Sequence, residues 1–101
     1  MSKVDVVIDE KIKIEIKEPS TYKVIFLNDN FTPMDFVVAL LVEIFKHTEQ
    51  TAHDLTLKIH NEGSGVVGEY TYEVAEQKAL EASSLCKQNG FPLQIKLEEN
   101  K

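Results

Sequence analysis

A chain that runs Leu27-Asn28-Asp29-Asn30-Phe31-Thr32-Pro33-Met34-Asp35-Phe36-Val37 has to pass from strand to helix within a few residues. Before the junction, Tyr22 to Leu27 puts Val24 and Phe26 on one face and Ile25 and Leu27 on the other, which is strand period. Beyond it, Val37, Leu40, Leu41 and Ile44 recur at helical spacing, and the helix is expected from Pro33 to about Lys46. The residues between carry junction chemistry. Thr32 can act as N-cap, Pro33 suits the first helical turn because its missing N–H needs no partner, and Asp35 meets the positive helix end. Turns favour Asn, Asp and Thr on conformational grounds alone, so a well-made turn is one reading. Short polar acceptors facing a ligand are the other.

The rest of the chain continues in the same grammar. Thr48 offers a second N-cap, followed by a helix with Ala52, Leu55 and Ile59 on one stripe that Gly63 stops. Gly63-Ser64-Gly65 reads as a turn, too short for a phosphate loop and without its Lys-Ser/Thr context. Val66, Val67 and Tyr70 make a short strand broken by Gly68. Thr71 caps a third helix whose inner face is expected to hold Val74, Ala75, Leu80 or Ala79, Ala82 and Cys86, and Asn89-Gly90 ends it. A last strand covers Leu93 to Leu97. The order strand, helix, helix, strand, helix, strand predicts an α+β domain: a small three-stranded antiparallel sheet packed against three helices, over residues 20–101. Residues 1–19 alternate charges with Val and Ile and end at Pro19, and they read as a flexible N-terminal arm. An edge strand is the alternative, its interleaved Lys and Glu blunting the edge.

At 101 residues the chain has the length of one domain. Its net charge is −6 and all its cationic side chains are lysines, so the planar forks that grip phosphate are absent and no nucleic acid partner is expected. The longest apolar run, near Phe36 to Val42, is far below the ~20 residues that span a bilayer, so no membrane partner is expected either. A lone Cys86 on an apolar helical spacing and no leader-like start make a cytoplasmic setting the default.

Catalytic signatures are weak. His47, His53 and His60 are six and seven residues apart without supporting cysteines, so neither a metal nor any other cofactor is expected. Ser83-Ser84 lie mid-helix without a nucleophile elbow, and Glu73 and Glu76 sit one turn apart on a face that solvent accounts for. What remains is His60 at the end of the second helix and Asn28-Asp29-Asn30 at the end of the first strand. If the helical hairpin folds back on the sheet, the two meet. Such an acceptor-rich set suits a cation with several N–H donors, such as a primary ammonium.

The sequence resembles the ClpS family, bacterial adaptors that hand proteins bearing destabilising N-terminal residues to the ClpAP protease. The residues that carry the resemblance are the run Tyr22 to Val37; Leu57-Lys58-Ile59-His60; Gly63, Gly65, Val66 and Gly68; Glu73-Val74-Ala75-Glu76 and Lys78; and Pro92-Leu93. It spans residues 20 to 98. The resemblance implies a non-enzymatic adaptor in which Asn28, Asp29 and His60 hold the α-amino group of an N-degron substrate. Thr32, Met34, Val37, Thr56, Ile59 and Leu93 would line a pocket for Leu, Phe, Tyr or Trp, with Met34 at the rim excluding β-branched side chains. It further implies that Glu73 and Lys78 contact the N-terminal domain of the ClpA unfoldase, that the arm assists delivery, and that the chain acts as a monomer. Two positions depart from the family pattern: Asn30 stands where a second acid is usual, and Thr56 where a larger apolar residue is common. The rival reading is an interaction domain that regulates the protease without reading N-termini.

Overall fold

The computed structural model describes residues 20–101, and the expected arm, residues 1–19, lies outside the described residues. Strand β1 (Thr21–Leu27) forms as its alternation predicts, with Val24 and Phe26 fully buried. It is followed by helix α1 (Met34–Glu43), helix α2 (Glu49–Glu62), strand β2 (Ser64–Thr71), helix α3 (Tyr72–Gln88) and strand β3 (Gln94–Asn100). The sheet order is β2-β1-β3, with both neighbours antiparallel to β1. The expected α+β class and element order therefore hold.

The core sits between the sheet and the helices. Phe26, Leu40, Leu41, Val24 and Val67 are its largest fully enclosed aliphatic and aromatic side chains, and Phe26 meets Phe45 edge to face with ring centroids 5.5 Å apart. The predicted stripe of α1, Val37, Leu40, Leu41 and Ile44, is buried throughout. Thr48 caps α2 as expected, its side chain accepting the Thr51 N–H at 3.2 Å.

Several details differ from the sequence reading. Thr32 is not the N-cap of α1, because its hydroxyl is donated to Asp29; Pro33 takes that position in extended conformation, and its carbonyl receives the N–H groups of Phe36 and Val37. Helix α1 stops at Glu43 rather than near Lys46, since Lys46 turns left-handed (φ 63°) and lets Ile44 and Phe45 both reach the core. Ser64 and Gly65 belong to β2, not to a turn, and Gly68 does not break that strand. Instead Val24 pairs with Gly68 and Ile25 with Val66, so Val67 is the extra residue of a β-bulge. Helix α3 lies on its small residues Ala75, Ala82 and Cys86, which permit close approach to the sheet. Val74 and Leu80 are consequently turned outward, while Ala79 is half-buried. Thr71 holds the N-cap position of α3 without a side-chain bond, and β3 runs from Gln94 to Asn100, later and further than the alternation suggested.

Candidate functional site

The loop after β1 is organised by one carboxylate. Asp29 Oδ1 accepts the N–H groups of Phe31 at 2.8 Å and Thr32 at 2.7 Å, and Oδ2 accepts the Thr32 hydroxyl at 2.8 Å. Burial alone would raise its pKa, but the hydrogen bonds from the Thr32 backbone, the Phe31 backbone and the Thr32 side chain outweigh it and hold the carboxyl below its ordinary value. A carboxylate offers about four lone-pair sites. Three are engaged within the loop, so Asp29 keeps one acceptor site on Oδ2 and a full negative charge.

Helix α2 is brought to this loop by its own ending. Gly63 adopts φ 93°, a conformation glycine takes without steric cost, and its N–H closes the helix on the Ile59 carbonyl. That single residue completes the reversal, so β2 starts at Ser64, paired with Leu27 at the end of β1. The Gly63 carbonyl then accepts the Asn28 N–H at 2.9 Å. This bond ties the end of α2, which carries the exposed His60, to the Asn28-Asp29 loop. One turn in from the end, Ile59 lies over bare Gly65, where a Cβ would come within 2.8 Å of its Cγ1.

Between the loop and α2 is a hollow of about 190 Å³. Asn28, Asp29, Asn30 and His60 border it, together with Thr32, Met34, Val37, Thr56, Ile59 and Leu93. All nine residues assigned from the sequence to the amino-binding set and the pocket thus share one cavity. Val37, Thr56, Ile59 and Leu93 are buried, whereas Met34 is 40 % exposed. The arrangement is chemically two-sided, with acceptors from the loop and an imidazole set beside an apolar wall. An apolar cavity of roughly 150 Å³ admits a benzene ring, so this volume suits a large side chain.

Glu73 and Lys78 do not border the hollow. Both lie on α3, with Glu73 exposed. Lys78 donates its ammonium to the Ile44 carbonyl at 2.7 Å and stands 5.4 Å from the centre of the Tyr70 ring. It therefore caps the end of α1, a role that sequence reasoning missed because the partners are distant in the chain. The same is true of His47, whose Nε2 lies 2.6 Å from the Val67 carbonyl. A carbonyl can only accept, so Nε2 carries the proton and satisfies the bulge. Among the described residues no group of three His, Cys, Asp or Glu is placed to hold a metal ion. No helix among them is long and apolar enough to cross a membrane.

The family model for the ATP-dependent Clp protease adaptor protein ClpS matches residues 17–96. The chain belongs to the ClpS family. The ClpS adapter of Helicobacter hepaticus is 49 % identical over 84 residues, covering 83 % of this chain and 85 % of the relative. That of Treponema denticola is 48 % identical over 82 residues, 81 % of each chain. The solved structure of Agrobacterium tumefaciens ClpS2 bound to L-phenylalaninamide superposes with a TM-score of 0.79 at 40 % identity, covering 82 % of this chain and all of that one. The ClpS fold and the role of Clp protease adaptor follow for this chain.

Proposed function

We propose that this ClpS-family adaptor binds the free α-amino group and the large hydrophobic side chain (Leu, Phe, Tyr or Trp) of N-degron substrates and delivers them to the ClpA unfoldase. The observation that carries the reading is the two-sided hollow, where Asn28, Asp29 and His60 border the same cavity as Met34, Val37, Thr56, Ile59 and Leu93. The A. tumefaciens relative lends support, since L-phenylalaninamide carries a free amine and a benzyl side chain.

The energetics require both halves of the ligand. Burying a Leu or Phe side chain contributes roughly 1.5–3 kcal/mol, and each hydrogen bond from an ammonium roughly 1.5–3 kcal/mol, before association costs are subtracted. An internal phenylalanine lacks the ammonium and an N-terminal lysine lacks the apolar body. Affinity near micromolar, about −8 kcal/mol, is expected for a matching chain end. Glu73 and Lys78 take the unfoldase contact on α3, away from the hollow, so adaptor and substrate surfaces are separate.

The test is a titration with a Phe-initiated peptide and its N-acetylated twin. Binding of the free amine and loss of binding on acetylation are expected, and equal affinity for the two would overturn the reading. In the same assay Glu73→Ala keeps peptide affinity while weakening association with the ClpA N-terminal domain.

A further inference from the structure

We propose that Thr56 makes the deep wall of the hollow a hydrogen-bond acceptor, so that the site ranks an N-terminal tyrosine above phenylalanine. This rests on reading the hollow as the N-terminal-residue pocket. Thr56 is only 4 % exposed, is the buried polar side chain of the described residues, and lines the cavity. Its hydroxyl donates to the Ala52 carbonyl at 2.8 Å, one turn back along α2. A hydroxyl owns one proton. With that proton committed to the helix, the oxygen can offer a ligand nothing but lone pairs. At so buried a hydroxyl, a ligand group that donates gains a bond, and one that covers it without donating leaves the lone pairs unmatched.

Helix α2 sets the reach. Thr56 lies four residues before His60, on the same helical face and about 6 Å from it along the axis. With an α-amino group held at the Asn28-Asp29-His60 end, that offset is close to the separation between the α-carbon of tyrosine and its phenolic oxygen. A leucine ends short of it. A phenylalanine presents a C–H, and a tyrosine presents an O–H.

The experiment compares otherwise identical peptides beginning with Tyr, Phe and 4-fluorophenylalanine, plus N-acetyl-Tyr, against the full chain, Thr56→Val and Thr56→Ser. The full chain is expected to favour Tyr over Phe by roughly three- to tenfold, with 4-fluorophenylalanine no better than Phe because fluorine cannot donate. Thr56→Val keeps the side-chain shape without the acceptor and should bring the Tyr:Phe ratio below one. Thr56→Ser should keep it above one. A ratio at or below one in the full chain, or a Tyr preference that survives Thr56→Val, overturns the proposal. Should Thr56→Val fail to fold by circular dichroism, the ratios for the full chain and Thr56→Ser decide alone. Failure of every free-amine peptide to bind, or binding of N-acetyl-Tyr equal to that of its free amine, is a different result, which removes the N-terminal reading itself.

Discussion

At Asp29 one carboxylate serves as scaffold of the loop and, in the proposed function, as ligand group, and the two can be separated. Asp29→Asn keeps an oxygen for the Phe31 and Thr32 N–H groups, and the Thr32 hydroxyl can rotate to accept from the new amide. The loop should survive while the charge is lost, and affinity for a Phe-initiated peptide should fall roughly ten- to a hundredfold. Acid repeats the experiment. The carboxyl is held below its ordinary value, so the stability it contributes is full above the unfolded-state pKa of about 3.9 and disappears as pH falls through the lowered folded-state value. The amide signals of Phe31 and Thr32 should move in that window, and unchanged signals to pH 2 would contradict the assignment. The sequence marked Asp29 as an acceptor at a junction. It did not reveal that Thr32 serves Asp29 rather than the helix, because an N-cap threonine and an Asx-loop threonine use the same hydroxyl within the same few residues.

Among the elements, the approach of α2 to β2 decides the shape of the cavity. Gly65 is bare where Ile59 crosses it, so Gly65→Ala forces Ile59 away from β2 and toward the hollow it lines. A cost of about 1–3 kcal/mol in stability is expected from this overpacking, with peptide affinity reduced at least as much as for a comparable core change elsewhere. Chemical denaturation and peptide titration of the same variant check both, and an unaltered affinity would show that Ile59 does not shape the hollow. Glycine also explains what the sequence hid. Ser64-Gly65 carries no apolar alternation to announce a strand, whereas the helical stripes of α1 and α2 are legible from their periodicity. The bonds of His47 and Lys78 were hidden because their partners are carbonyls, and carbonyls leave no signature in a sequence. The meeting of His60 with Asn28 and Asp29 was legible only on the condition that the helical hairpin folds back on the sheet, and the reversal at Gly63 meets that condition.

The whole molecule places its single thiol under that core. Burial first, and then the nearby Asp29 charge, push the Cys86 thiol above its usual range, and the side chain is 2 % exposed. Alkylation of the folded chain should therefore be slow and should follow global opening, accelerating in step with unfolding as denaturant is added. Rapid labelling without denaturant would contradict the packing of α3. The net charge of −6 also gives the molecule a field that favours cationic chain ends over anionic ones.

The hollow hangs from the end of β1, the middle strand, and every residue from Thr21 to Leu27 has a partner in both β2 and β3. A tug on a captured chain end thus enters the fold through its best-anchored segment, which can slide free only if two ladders shear together. The grip is mounted on the one strand of the described sheet that is bonded along both of its edges.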